Sequence, residues 1–203
     1  MDAGTLVMPN PMAPRTQERV PPVSNTRLAM VVLLASESML FAGLIGMFLV
    51  FRLSVRAWPP ENLPRLPLVV TAINTLVLFA SLIPLGRAMR LPADASPAVR
   101  ARHVAWTALL GGTFVAVQGG EWARLVHHGL TLASGTYGAS FYGLIGCHAL
   151  HVVTAAVWLV VVAVLARQEA FAERHPAALE MCGIYWYFVC GLWGVLFPLV
   201  YLL

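Results

Sequence analysis

The sequence predicts an all-α protein, a polytopic membrane bundle of five transmembrane helices. Hydrophobic residues make up 59% of the 203 residues and charged residues only 11%, and the apolar residues gather in five long stretches. A soluble domain carries about 25% charged residues, so this chain has too few to cover a water-facing surface. Each stretch is near the roughly 20 residues that cross about 30 Å of hydrocarbon.

The five predicted spans are separated by polar, proline- or glycine-containing connections. They run over about Leu28–Phe51, Leu66–Gly86, His103–Gly120, Gly138–Leu165 and Leu179–Leu203. The third span is the shortest and the richest in glycine. Pro84 and Pro198 lie inside the second and fifth spans, where neighbouring helices can satisfy the carbonyls that a kink releases.

Three pairs of glycines are spaced three residues apart, so the members of a pair share one helix face. They are Gly43 with Gly46, Gly143 with Gly146, and Gly191 with Gly194. Small residues at this spacing let transmembrane helices approach closely, and close helix contacts are therefore expected at these pairs. Chance glycines in flexible transmembrane sequence are an equally good interpretation of any one pair.

The chain divides into a tail and one domain. Residues 1–26 contain five prolines and no long apolar run, which indicates a disordered cytoplasmic tail rather than a cleaved signal peptide. Residues 27–203 are expected to form the five-helix transmembrane domain.

Arginine placement predicts the orientation of that domain. All thirteen positive charges are Arg, scattered singly rather than clustered as in a nucleic-acid-binding patch. With the N-terminus inside, nine of them lie on inside segments and four on outside segments. This bias favours an N-terminus on the cytoplasmic side of the membrane and a C-terminus on the outer side.

The sequence lacks the common motifs of soluble catalysis, including a P-loop, a GxSxG elbow, a Rossmann glycine pattern and a CxxC pair. Its three cysteines, Cys147, Cys182 and Cys190, each lie inside an apolar stretch. They are interpreted as small buried hydrophobic residues rather than as a disulfide framework.

Glu37 is the most informative polar residue, because it lies about ten residues into the first span, near the middle of the membrane. A charge at that depth is costly by roughly 2.5–3.5 kcal/mol, which favours a neutral carboxyl. Two roles fit equally well. In the first, Glu37 has a functional role, either in handling protons or in contacting a lipid headgroup or partner helix. In the second, it is a protonated, hydrogen-bonded carboxyl inside the bundle.

His148 and His151 lie three residues apart on one face of the fourth span. Metal or haem ligation would need further ligands on facing helices, and the only other histidine close to a span is His103, at the start of the third span. Without a carboxylate at ligand spacing, interhelical hydrogen bonding is the favoured role. No metal site is predicted in this chain.

Charged residues at the span ends complete the candidates. Glu121 is expected to end the third span, as a solvated or helix-bonded group. Glu180 opens the fifth span and Arg167 closes the fourth, so both are expected at the cytoplasmic interface. There Arg167 either reaches a lipid phosphate or serves as ordinary inside charge.

Several short motifs follow each other in a fixed order. They are Ser36–Gly43 with Glu37, Asn74-Thr75 with Ser81, Gln118-x-x-Glu121-Trp122, Tyr137–Tyr142 followed by Gly146–Val152, Arg167-Gln168, and Tyr185-Trp186-x-Phe188-Val189 with Trp193. On these motifs the chain, over about residues 28–203, resembles subunit III of the haem-copper respiratory oxidases in its five-helix bacterial form. Two positions depart from the family pattern, which commonly has His and Asp where this chain has Tyr187 and Cys190. A third is Ala149, which stands where the family has Gly.

The resemblance implies an accessory, non-redox subunit of a cytochrome c oxidase-type respiratory complex. Such a complex reduces O2 to water and translocates protons, and its haem and copper are held by the partner subunits I and II. The resemblance also implies that this chain binds phospholipid, stabilises subunit I and supports proton uptake. Glu37, His151 and Arg167 are the residues it assigns to the lipid and proton-uptake surface, and Asn74, Glu121, His148 and Glu180 are expected as interhelical polar residues.

Other functions remain open on the sequence alone. A quinol oxidase or a nitric oxide reductase could contain a similar subunit. A different class is a haem b membrane anchor that ligates haem through His103 with His148 or His151. A third is a small transporter or lipid-handling protein that acts alone.

Overall fold

Six α-helices make up the part of the chain that the computed structural model describes, namely residues 24–55, 66–92, 94–168 and 177–203. We number them α1 (Asn25–Ser54), α2 (Leu68–Ala80), α3 (Leu82–Arg90), α4 (Pro97–His127), α5 (Gly135–Leu165) and α6 (Ala177–Tyr201). Residues 1–23 of the predicted tail lie outside the described residues. The α1 helix begins two residues before the predicted domain boundary, where the Ser24 hydroxyl accepts a hydrogen bond from the Arg27 amide at 3.3 Å.

Two of the helices, α2 and α3, continue each other as one membrane-length segment, Leu68–Arg90. The break between them falls at Ser81, one turn before Pro84. Proline has no amide hydrogen to donate to the carbonyl four residues earlier, and here that carbonyl belongs to Ala80, the last residue of α2. The break expected from Pro84 therefore lies just ahead of the proline.

The α4 helix is longer than the sequence predicted. It starts at Pro97, in the first-turn position that suits proline, and it continues to His127 instead of stopping at Gly120. Gly129, with φ of +92°, follows the helix end, where a left-handed residue commonly terminates a helix. Glu121 therefore lies within α4 rather than at its end.

Four segments are long and apolar enough to cross a membrane, namely α1, the joined α2–α3, α5 and α6. The α4 helix, with 31 residues, is not among them, since its apolar part contains Gln118 and several glycines. The chain is accordingly a multi-pass membrane protein, and the predicted third span is the one that hydropathy leaves unconfirmed.

The α4 and α5 helices form the centre of the bundle. The α4 helix packs against α2, α3 and α5, and α5 packs in addition against α1 and α6. Their shared core is aromatic, with Phe41, Phe141, Trp186 and Trp193 almost fully buried. The α1 helix is the most peripheral, because only 11% of its most apolar stretch is buried in the bundle.

The two ends of α1 show that it runs parallel to α6. At its first turn, the Arg27 guanidinium lies 2.8 Å from the Glu180 carboxylate at the start of α6. At its last turn, Arg52 donates a hydrogen bond to the carbonyl of Leu203, just beyond the end of α6, at 2.7 Å.

The close helix approach predicted for the glycine pairs is wrong at four of the six positions. A Cβ added to Gly43, Gly46, Gly146 or Gly191 would meet nothing within 4 Å. The close approach occurs at Gly111 of α4 instead, where a Cβ would lie 2.5 Å from the ring of Trp186. Spacing alone does not reveal which face of a helix is packed, and this explains the error.

Candidate functional site

Glu37 of α1 and His151 of α5 meet inside the bundle. Oε2 of Glu37 lies 2.6 Å from Nε2 of His151, and the two side chains are only 15% and 14% exposed. The serines on either side of Glu37 take no part, because the hydroxyls of Ser36 and Ser38 donate to the carbonyls of Val32 and Leu34 on their own helix. The pair is therefore a contact between two titratable groups that the sequence placed on different spans.

The second nitrogen of His151 fixes how the pair can hold protons. Nδ1 of His151 lies 2.6 Å from the carbonyl oxygen of Cys147, and a carbonyl can only accept, so Nδ1 carries a hydrogen. Nε2 is then the nitrogen that faces the carboxyl of Glu37. The contact is short but poorly aligned, since Oε2 has no partner at hydrogen-bond geometry.

Phe41 separates this pair from His148. Its ring meets His151 edge-on at 5.2 Å between centroids and His148 at 6.1 Å. His148 is 1% exposed and stacks on Trp193 with 5.4 Å between centroids and 17° between ring planes. Neither ring nitrogen of His148 has a hydrogen-bond partner among the described residues, so the two histidines of one motif have different surroundings.

A cavity of about 150 Å³ lies beside His148, between α4, α5 and α6. Its walls are mostly apolar and include Val115, Ile145, Val152 and Trp193; Gln118 and Trp122 also line it. Oε1 of Gln118 and Nε1 of Trp122 lack a partner at hydrogen-bond geometry within the described chain. A buried polar atom left unpaired costs about 1–3 kcal/mol.

Arg167 lies with Arg102 at the other end of the α4–α5 interface. The two arginines and Trp106 line a cleft of about 530 Å³, and Arg167 also lines an adjoining cleft of about 600 Å³. The second cleft continues along both helices between small and aliphatic side chains such as Gly112 and Val160. Two cations at one end of an apolar groove match the headgroup and tail of a lipid.

The remaining predicted polar residues lie at separate places. Asn74 donates from its amide to the Phe114 carbonyl at 3.0 Å, which ties α2 to α4. Glu121 lies 2.6 Å from Arg124 on the same helix. Glu180 joins α6 to α1 through the ion pair with Arg27.

Two tryptophans of the sequence motifs tie α6 to the joined α2–α3 segment. The indole of Trp186 donates to the Ser81 hydroxyl and that of Trp193 to the Thr75 hydroxyl, each at 2.9 Å. Both tryptophans are buried. They are seven residues apart, which places them on one helix face, and this spacing was the available signal.

The geometry does not bring together the histidines of a bis-histidine haem site. The cavity places His148 level with Gln118, and the clefts place Arg167 level with Arg102. His103 is therefore about fifteen residues along α4 from the level of His148, or roughly 22 Å at 1.5 Å per residue. Among the described residues, no group of three or more His, Cys, Asp or Glu side chains could hold a metal ion.

The helical bundle and its internal polar pair define a multi-pass membrane protein whose polar groups lie mostly between helices. A family model described as cytochrome c oxidase subunit III matches residues 18–203. The chain belongs to this family, which confirms the resemblance found in the sequence.

Individual relatives agree with this assignment. A probable cytochrome c oxidase subunit 3 of Nocardia farcinica (strain IFM 10152) is 33% identical over 172 residues, 84% of each chain. Its counterpart from Mycobacterium leprae (strain TN), also described as probable, is 32% identical over the same share of each chain. A probable quinol oxidase subunit 3 of Staphylococcus saprophyticus is 32% identical over 97 residues, 48% of each chain.

Proposed function

We propose that this chain works as the accessory subunit III of a cytochrome c oxidase in a bacterial inner membrane. The observation that carries the proposal is the family match over residues 18–203. The oxidase reduces O2 to water and translocates protons, with haem and copper in subunits I and II and no redox centre in this chain. The relatives named as quinol oxidase subunits support a quinol oxidase as the second candidate.

Co-purification from native membranes tests this function. With an affinity tag on the present chain, we expect a haem-copper subunit in equal amount and oxygen consumption with reduced cytochrome c as donor. Oxygen consumption with a quinol instead would select the second candidate. Purification of the chain without a haem-copper subunit, or with stoichiometric haem bound to the isolated chain, would contradict both.

We extend the proposal to five spans, with α4 as the third span and the N-terminus in the cytoplasm. The parallel course of α1 and α6 supports it, since two parallel helices that start at one membrane face have an odd number of crossings between them. The joined α2–α3 and α5 are long and apolar enough to cross, so α1 and α6 start at the same face only if α4 crosses as well and α6 is the fifth span. Contacts of α4 with α2, α3 and α5 provide the protein surface that a weakly apolar span needs.

The chain enters at the inner face, α1 ends outside, α2–α3 ends inside, α4 ends outside and α5 ends inside, where α6 begins. If α4 did not cross, α6 would begin outside and Glu180 would be a membrane thickness away from Arg27. The Arg27–Glu180 ion pair is therefore the contact that favours five crossings over four.

The Glu37–His151 pair is proposed to act at the proton-uptake side of the subunit I partner. Its support is the 2.6 Å contact between the two groups and the partial exposure of both side chains. A carboxyl and an imidazole in contact can exchange a proton without leaving a net charge in the membrane. This chain would thereby hold a proton in the bilayer interior, next to its partner.

Phospholipid is proposed to bind in the groove formed by the two α4–α5 clefts, with its phosphate at Arg102 and Arg167. The supporting features are the paired guanidinium groups at one end and the apolar lining that follows. Arginine forms paired hydrogen bonds with phosphate oxygens. The cytoplasmic position proposed for Arg167 places this headgroup in the inner leaflet.

A further inference from the structure

The cavity between α4, α5 and α6, which we call the Trp193 cavity, has an almost wholly apolar surface. Its deep side is formed by apolar side chains that are at most 3% exposed, namely Phe114, Ile145, Val152 and Trp193. Gly119, Ala149 and Val153 also line the cavity and are themselves partly or fully exposed. The space therefore lies inside the bundle and opens at the surface between α4 and α5.

Water is a poor occupant of the Trp193 cavity because it would find too few hydrogen-bond partners. A buried water needs roughly two to four polar partners. The ring nitrogens of His148, the amide oxygen of Gln118 and the indole nitrogen of Trp122 have almost no surface that a water molecule could reach. These three residues line the cavity with carbon atoms, and their polar atoms lie behind its walls.

A small apolar molecule matches both the size and the chemistry of the cavity. The cavity has a volume of about 150 Å³, and an apolar protein cavity of about this size stays dry and binds benzene or xenon. Wall atoms that face an empty space lack dispersion contacts on one side. An apolar occupant restores these contacts and needs no hydrogen bond in return.

A small rigid molecule is favoured over the end of a lipid tail. A tail that entered the cavity would lose rotational freedom about each of its bonds, and such ordering opposes binding. A monatomic or diatomic gas has no internal rotation to lose. Apolar gases also dissolve more readily in the hydrocarbon of a bilayer than in water. Gly119 leaves room at the opening, since an added Cβ would meet nothing within 4 Å.

We propose that the Trp193 cavity is a binding site for a small apolar gas molecule and that its natural ligand is dioxygen. The gas is held by dispersion contacts with side chains such as Ile145, Val152 and Trp193. The choice of dioxygen rests on the proposed function, because the complex to which this chain is assigned there consumes that gas.

Xenon tests the site directly, because it is apolar, rigid and visible through its anomalous X-ray scattering. Crystals of the intact purified complex are equilibrated with xenon under pressure, and we expect a xenon atom in contact with Ile145, Val152 and Trp193. An empty cavity under xenon would overturn the inference. Density for an acyl chain, a partner side chain or ordered water inside the cavity of the untreated complex would overturn it as well.

Crystals under pressurised dioxygen then test the identity of the ligand. We expect diatomic density where xenon binds, and a cavity that takes xenon but not dioxygen would overturn the assignment of dioxygen. The xenon measurement needs only the purified full chain in the assembly that it forms. Absence of a haem-copper subunit from that assembly would refute the proposed function and leave the xenon result standing.

A filling variant links the bound gas to this cavity. Ala149 lines the cavity, so Ala149→Leu should occupy its space and reduce the xenon occupancy severalfold. Ala139→Leu, at an exposed position on the same helix, is the matched control and should retain the xenon. Undiminished occupancy in an assembled Ala149→Leu complex would contradict the proposal, and the measurement on the unaltered complex stands without either variant.

Discussion

Position 111 favours glycine because the Trp186 ring lies where a side chain would begin. Gly111→Ala places a Cβ 2.5 Å from that ring, and overpacking of this kind costs about 1–3 kcal/mol. We expect a lower temperature for loss of this subunit from the purified complex. Gly112→Ala is the control, since its Cβ would meet nothing within 4 Å. Equal stability of the two variants would show that α4 and α6 separate easily.

The contact between Glu37 and His151 predicts a specific pattern of chemical labelling. Hydrophobic carbodiimides react with protonated carboxyls, so Glu37→Gln should abolish labelling of this chain and leave assembly intact. His151→Gln removes the imidazole that can take the proton, and labelling at Glu37 should become faster.

Glu180 serves as the control for that experiment, because its carboxylate is more exposed and pairs with Arg27. Glu180→Gln should leave carbodiimide incorporation, measured by mass spectrometry of the intact subunit, at its original level. Undiminished labelling in Glu37→Gln would exclude Glu37 as the reactive group.

At the scale of the helices, α1 depends on a small number of contacts. Phe41 is 1% exposed and touches both histidines of α5, whereas Met39 on the opposite side is 77% exposed. Phe41→Ala should weaken the seating of α1 on α5. In lipid the effect should be smaller than the roughly 3–5 kcal/mol of a water-soluble core, because only packing is lost and no surface is transferred to water.

Proteolysis of the purified complex measures this effect. We expect cleavage in the segment that follows α1 to accelerate in Phe41→Ala, and Met39→Ala to match the original chain. Similar cleavage rates for the two variants would show that the Glu37–His151 contact alone holds α1 in place.

The groove between α4 and α5 predicts a lipid phenotype. Changing Arg102 and Arg167 together to Gln removes both cations from its polar end, and we expect the complex to lose bound phospholipid. Lipid phosphate per haem after delipidating washes is the measurement. As the control, Arg90→Gln removes an exposed cation at the end of α3, outside the groove, and this variant should retain the lipid. Equal loss of lipid from the double variant and from Arg90→Gln would indicate that lipid retention depends on overall positive charge rather than on this groove.

At the scale of the whole molecule, cysteine labelling in intact cells tests the five-span topology. After replacement of the three native cysteines, single cysteines at Ser54 and Ala133 should react with a membrane-impermeant maleimide. Cysteines at Asn25 and Asp94 should react only after the membrane is opened. All four positions are exposed, and reaction of the Asp94 and Ala133 variants from the same side would show that α4 does not cross.

The sequence alone predicted most of the architecture, because apolar stretches and helix breakers are local signals. The ends of α5 and α6 lie within three residues of their predicted positions. The third span was predicted too short, because Glu121 and Arg124 were interpreted as residues at the membrane interface. In the structure they pair with each other within one continuous helix.

Tertiary contacts were beyond such local signals. Glu37 and His151 were each recognised as informative, but nothing in their spacing states that α1 and α5 are neighbours. The same holds for Gly111, whose closeness to Trp186 depends on helix rotation. The packed glycine could not be told apart from exposed ones such as Gly43.

The modest hydropathy of α4 has a consequence for biosynthesis. A segment leaving the ribosome is sorted into lipid largely by its own transfer free energy, and His103, Gln118 and Glu121 all weigh against α4. The joined α2–α3 segment is made before it, but α5, which covers its other side, is made afterwards. With α4 as the proposed third span, we therefore expect the insertion machinery to hold α4 until α5 emerges, so that the two helices enter the bilayer as a hairpin.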